Sequence, residues 1–411
     1  MTRDISGRSR PTVFSAWRGR YSPLSREPVI SIMLVCAAIL VGLVGWSGNP
    51  LALPAAMLFP ALWAHSPSRL AAAAVSAGYF LAASRGLPQG VVNFYGGGFG
   101  AGIALWFAAA SGFVIVHAVL WTPQPGRGRA LRYCVAAVTM SVPPFGILGW
   151  AHPITAAGVV FPGWGWFGLA VSAIGLLAMT IRLWPIATMV LGGLCLWSTA
   201  MWTPPDMPQG WVGVDTNFRG ESGQYADYAQ QFETIGLVKR AAHGGAKMIV
   251  LPESAVGIWT STSAHLWMRE LADLNVIVNA GAIIVDETGY DNVMMEITGD
   301  GARVLYRERM PVPVSMWQPW LAWIDEPAGA RAHFFANPIV EGGGKRVAPL
   351  ICYEQLIIWP ILQSVLYRPS VIVATGNGWW TDNTTIVAIQ KASAQAWARL
   401  FGLPLILSFN T

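Results

Sequence analysis

A chain of 411 residues that is 54% hydrophobic and only 11% charged carries roughly half the charged share of an ordinary soluble domain, which excludes a fully water-exposed globule. The net charge of +5 does not make a nucleic-acid footprint. Its largest cluster, Arg3, Arg8, Arg10, Arg18, Arg20 and Arg26, stands just before the first hydrophobic run, where a topogenic role explains it better.

From Pro28 to Trp202 there is no acidic residue, whereas nearly all carboxylates lie beyond Asp206, so the two halves of the chain have different solvents. A membrane span needs about 20 mostly apolar residues. Candidates fall near 28–47, 49–65, 69–85, 98–121, 130–150, 163–181 and 184–202. The expected fold is an α-helical membrane bundle of about seven spans followed by an α/β domain. The first run is too long for a signal-peptide core and lacks a small-residue cleavage site, so it reads as a retained helix. With segment 1–27 on the cytoplasmic side, the inside segments carry eleven arginines: the six above plus Arg69, Arg127, Arg129, Arg132 and Arg182. The outside loops carry only Arg85. That asymmetry predicts a multi-pass membrane protein with everything after Trp202 outside the cytoplasm. Trp46, Trp121, Trp150, Trp184 and Trp202 fall near expected span ends, where interfacial anchors belong.

Cys36, Cys134 and Cys195 lie within expected spans and read as small buried hydrophobes, while Cys352 stands alone in the outer half. The six histidines show no metal-ligand spacing, and neither metal nor cofactor is implied. The glycine run at 96–100 follows no strand and reads as a flexible start to a helix rather than a phosphate loop.

After a Pro-rich linker, 203–210, the region 211–411 alternates short strands and helices. Strands are expected at 211–217, 248–251, 276–285, 292–297, 302–306, 346–351, 370–374 and 404–409, with helices at 225–242 and 384–401, the pattern of a layered α/β domain. Three strand ends carry polar residues: Glu253 after MIVLPES, Cys352 and Glu354 in PLICYEQ, and Asn377 in VIVATGNGWW. Ligands gather at the carboxyl ends of strands in such sheets. A carboxylate beside a thiol can take its proton, leaving a nucleophile able to hold an acyl group as a thioester. The bland alternative is that Glu253 caps a helix and Cys352 merely packs.

On these motifs, LPES, LICYE and ATGNGWW, in this order and after such an array of apolar segments, the chain resembles the apolipoprotein N-acyltransferases. These are membrane members of the nitrilase (carbon–nitrogen hydrolase) superfamily, and the resemblance is closer still to their TraB conjugal-transfer branch. It implies an αββα sandwich for the outer domain, Glu253 as general base, Cys352 as nucleophile and Glu354 as its supporting neighbour. It also implies a membrane lipid as acyl donor, and a lipoprotein or a component of the conjugation apparatus as partner, without nucleic acid.

The sequence departs from that pattern at several points. The family lysine that stabilises the oxyanion corresponds to Glu308 in YRERMPVPVSM, and a second family glutamate to Met316. Arg307 and Arg309 are the candidate replacement cations, although guanidinium and ammonium differ in reach. Leu400 stands where the closing motif of the family has a glutamate, and the domain is expected to be truncated at its carboxy end. Trp317, Trp320 and Trp323 follow the altered segment and either dip into the membrane interface or pack in the core. Trp379 and Trp380, beside Asn377, either line an acyl pocket or pack beneath it. Two functions remain open, a membrane acyltransferase or amidase and a noncatalytic envelope scaffold of conjugation. For the topology, alkaline phosphatase fused after Gly220 is expected to be active and fused after Arg129 inactive; the reverse pattern overturns the orientation.

Overall fold

The computed structural model describes residues 26–218 and 226–411. The arginines from Arg3 to Arg20 lie outside them, as does the fusion point at Gly220.

The first half is helical. It runs through α1 (Arg26–Gly45), a 3-10 turn Pro50–Leu58 leading into α2 (Phe59–Ala64), α3 (Arg69–Ala83), α4 (Leu87–Tyr95), α5 (Phe99–Leu120) and α6 (Arg127–Thr139). Two 3-10 turns, Phe145–Leu148 and Pro153–Ala156, lead into α7 (Ala157–Val160), α8 (Gly165–Met179) and α9 (Trp184–Ala200). Two helices are long and apolar enough to cross a membrane, Glu27–Gly45 and α5; α3 and α4, bent by 50° at their junction, make a third if counted as one span. Seven full spans are therefore not what the described residues form. Hydrophobicity reports the solvent of a segment, not the continuity of its helix. The stretch 49–65 is broken by Pro54 inside a 3-10 turn. The stretch 130–150 leaves the helix at Thr139, before Pro143 and Pro144. At about 1.5 Å per residue, the 15 residues of α8 and 17 of α9 fall short of a hydrocarbon core about 30 Å thick. Nor are all the tryptophans interfacial. Trp46 is buried with its Nε1 donating to the Tyr79 hydroxyl at 2.8 Å, and Trp121 is buried as well.

The second half contains β1 (Trp211–Gly213), α10 (Ala226–His243), β2 (Met248–Val250), α11 (Ser261–Leu271), β3 (Ile277–Asp286), β4 (Gly289–Ile297) and β5 (Ala302–Arg307). A 3-10 turn Pro319–Ile324 follows, then β6 (Val340–Gly342), β7 (Lys345–Ile351), α12 (Ile358–Leu366), β8 (Val371–Asn377), α13 (Ile386–Phe401) and β9 (Leu405–Asn410). The sheets run β1-β2-β3-β4-β5 and β6-β7-β8-β9, with β1 to β3 mutually parallel and β7 to β9 mutually parallel. Helices α11 and α12 and strand β6 were not expected. Helix α11 is polar and announced only by Thr260, whose hydroxyl accepts from Ser263 N at 3.1 Å. Helix α12 carries Pro360, which a first turn tolerates.

Period-two alternation builds four layers. Ile249, Val278, Ala280 and Ala282 face outward against Ile235, Val238 and Trp267 of α10 and α11. Val250, Val347, Ile351, Val371 and Val373 face between the sheets. Ala348, Leu350, Ile372 and Ala374 face α12 and α13. The domain is thus an αββα sandwich. Its fourth layer is not an outer surface, because the same buried cluster continues from Trp397 and Leu400 into Trp46, Phe59 and Val160 of the helical half. The halves meet closely where Gly158 of α7 lies on α13, since a Cβ there would collide with the Ala396 carbonyl. Overpacking of this kind typically costs about 1–3 kcal/mol and sometimes more. Gly158→Leu is expected to lower the melting temperature of the detergent-solubilised protein by several degrees. Gly192→Leu, where an added side chain meets open space, is expected to leave it unchanged.

Candidate functional site

Cys352 follows the last residue of β7 and opens a 3-10 turn, Cys352–Gln355, with φ at +47°. A left-handed conformation costs a non-glycine residue roughly 1–2 kcal/mol, so the surrounding contacts must hold it. Glu354 supplies them. One carboxylate oxygen accepts from Ile351 N at 2.7 Å, and the other accepts from Arg309 N and the Tyr306 hydroxyl, each at 2.6 Å. The buried Arg309 guanidinium lies 3.7 Å away. Glu354 therefore ties the end of β7 to the segment that leaves β5.

Glu253 follows β2, and Ser254 beside it is also left-handed, with φ at +57°. The loop lies so close to β3 that a Cβ on Gly281 would strike the backbone of Glu253 and Ser254. The Glu253 carboxylate accepts from Asn292 Nδ2 at 2.7 Å and from Asn377 N at 3.0 Å, and the Cys352 thiol faces it as a hydrogen-bond partner. The strand ends of β2, β7 and β8 thus converge, as the motifs imply.

The same Asn292 Nδ2 also donates to Glu308 at 2.8 Å, and Glu308 is wholly buried with Oε1 unpartnered. Two carboxyl groups that share one amide nitrogen in a dry site cannot both ionise readily. Burial pushes Glu308 well above the ordinary carboxylate range, and Glu253 and Glu354 push it further. Burial also raises Glu253, against hydrogen bonds from Cys352, Asn292 and Asn377. The Cys352 thiol is raised by burial, then by Glu253 and Glu308.

Neither candidate arginine reaches this group. Arg307 pairs with Asp291, which also holds Arg331 at 2.8 Å and His333 at 3.0 Å. Arg309 spends its guanidinium on the Tyr306 hydroxyl and the carbonyls of Pro360 and Pro349, at 2.8, 2.9 and 3.2 Å. Both are structural, and the expectation of an arginine at the oxyanion is corrected accordingly. Strand alternation is the reason: Arg307 points away from the site, and Arg309 falls beyond the end of β5, where Glu354 captures it.

Cys352 and Glu253 open onto a cavity of about 430 Å³. Asn377, Trp379 and Trp380 line it, as does Met316, and its far wall comes from the helical half, with Leu87, Gly90, Phe94 and Leu105. Trp317 and Trp320 do not line it. Trp317 packs edge-on against Phe334 at 5.8 Å, and Trp320 sits half-exposed on the 3-10 turn. The halves are hydrogen-bonded around the cavity. The Tyr353 hydroxyl donates to Ile147 O at 2.7 Å, and Asn93 Nδ2 donates to Trp380 O at 2.9 Å. Sequence reasoning missed Asn292, Tyr290 and Gln390. Each is a polar residue on a largely apolar element, a signal weaker than a polar strand end.

The carbon–nitrogen hydrolase family model matches residues 261–399. A conjugal transfer protein TraB of Agrobacterium fabrum is 56% identical and covers 100% of both chains. A probable conjugal transfer protein TraB of Sinorhizobium fredii is 55% identical over 94% of this chain and 100% of its own. Among solved structures, a carbon–nitrogen hydrolase from Helicobacter pylori overlaps 48% of this chain and 72% of its own, at 14% identity and a TM-score of 0.37. An amidase from Nesterenkonia overlaps 49% and 78%, at 13% identity and a TM-score of 0.36.

A carboxyl whose proton affinity rises on folding stabilises fully below its unfolded pKa, and that stability is lost as pH climbs through the raised folded value. For Glu308 the loss starts above the ordinary value of 4.5. Glu308→Gln keeps the shape of the neutral acid and is expected to flatten the decline in thermal stability toward alkaline pH, with little change at acid pH. Parallel wild-type and variant curves would show that Glu308 is ionised in the folded protein.

Proposed function

This chain belongs to the TraB family of conjugal-transfer proteins and carries a carbon–nitrogen hydrolase domain, and from that premise we propose that it is an acyltransferase working through a thioester on Cys352. The observation that carries the reading is the cavity, which joins the Cys352 and Glu253 side chains to apolar walls contributed by α3, α4 and α5. An acyl chain lying among Leu87, Val91, Phe94 and Leu105 would bring its carbonyl to the sulfur. The proposed location is the bacterial inner membrane, crossed several times, with the hydrolase domain periplasmic and a membrane lipid as donor. The acceptor would be a lipoprotein or a component of the conjugation apparatus.

In the forward step the Cys352 proton moves to Glu253 and the thiolate attacks the ester carbonyl. The tetrahedral intermediate then expels the alcohol, which recovers the proton from Glu253, and the thioester remains. An acceptor amine attacks in turn, passing its proton through Glu253 as the sulfur leaves and regains a proton. The site favours this exchange because proton transfer from Cys352 to Glu253 moves a single negative charge without creating a second one.

A specific observation supports the other reading, a noncatalytic scaffold: no lysine or arginine lines the cavity among the described residues. Intact mass analysis separates the two. The wild-type protein is expected to carry a hydroxylamine-labile acyl adduct that Cys352→Ala lacks, and Cys352→Ala is expected to reduce plasmid transfer. Full transfer by a Cys352→Ala strain, with no adduct on the wild type, would leave the scaffold.

A further inference from the structure

Acyl transfer at this site lacks one component. The tetrahedral intermediate concentrates negative charge on an oxygen one carbon away from Sγ, and that charge must meet a donor already in place. Arg307 and Arg309 are occupied elsewhere, and the position that resembles the family lysine holds Glu308, which does not line the cavity. Of the side-chain donors that do line it, one also touches the sulfur. Gln390, on the buried face of α13, places Nε2 at 3.6 Å from Cys352 Sγ and is itself 4% exposed.

Resting on the acyl-transfer reading, we propose that Gln390 is a catalytic residue: its carboxamide N–H holds the Cys352 thiolate and then the oxyanion formed beside it. The orientation of the amide follows from charge, because its oxygen would be repelled by a thiolate and its nitrogen is attracted. The thiol and its proton acceptor together carry one negative charge throughout, so a neutral donor answers the need without adding a buried cation. Among the groups facing the thiol, Glu253 and Glu308 oppose the thiolate and Gln390 favours it. Position matters as much as charge. Helix α13 is clamped between β8 and the helical half through Ala396, Trp397 and Leu400, so the carboxamide is held on a rigid element. The Gln390 N–H is neither lost nor gained, and shifts from sulfur to oxygen as the S–C bond forms.

The test uses purified full-length protein in detergent, with two readouts. Iodoacetamide alkylation of Cys352 is followed against pH by mass spectrometry, and acylation of Cys352 by p-nitrophenyl octanoate is followed as a thioester adduct. Gln390→Met, close in size but without a donor, is expected to move the alkylation midpoint to higher pH and to slow acylation by about 10²–10³. Gln390→Lys is expected to move the midpoint the other way. A Gln390→Met protein that keeps both the wild-type midpoint and the wild-type acylation rate overturns the proposal. If that variant does not fold, Gln390→Asn withdraws the amide by one methylene and is held to the same outcomes. A wild-type protein that is alkylated at Cys352 but never acylated overturns acyl transfer, and the alkylation shift still decides whether Gln390 holds the thiolate.

Discussion

The geometry of the site hangs on one buried carboxylate. Glu354 accepts from Ile351 N, Arg309 N and the Tyr306 hydroxyl, with the Arg309 guanidinium beside it. Those partners come from two different sheets, so a single side chain sets where β7 ends relative to β5. Cys352 inherits its left-handed backbone from this clamp, and Glu308 its depth. Removing one partner of such a buried pair generally costs about 3–5 kcal/mol, because the other charge is left without compensation. Arg309 is thus a structural cation.

Around that clamp lies an excess of acid. Glu253, Glu308 and Glu354 are all buried, and one arginine neutralises one of them. Burial, with Glu253 and Glu354 nearby, favours the protonated form of Glu308. In that form it does not compete with Glu253, and it repels the thiolate less than a second carboxylate would. Asn292 bridges the two with donors rather than a charge. A glutamate at the position that resembles the family lysine is therefore compatible with a working base, though it supplies no cation to an oxyanion.

The sandwich was legible in the sequence because buried parallel strands read as near-continuous apolar runs, and their polar ends at Glu253, Cys352 and Asn377 stand out. The convergence of those three ends follows from topology. Asn292 was hidden inside β4, where Tyr290 to Ile297 offers no end to mark it, and Gln390 was one polar residue on an amphipathic helix. The arginines misled because residue type was read without direction: a one-residue step along β5 turns a side chain to the opposite face. In the helical half, composition identified the apolar stretches. Only backbone geometry reveals that Pro54, the bend between α3 and α4 and the short α8 interrupt them.

The shared core between the halves has a consequence for how the protein is made. Helices α3 to α5 leave the ribosome early and form one wall of the cavity, whereas α13, which forms another, is synthesised late. During the interval the apolar faces of α7 and α8 have no α13 to cover them. Cys352 has no complete pocket until α13 docks on Gly158. The cavity is therefore complete only when the two halves have assembled and the whole chain has found its place.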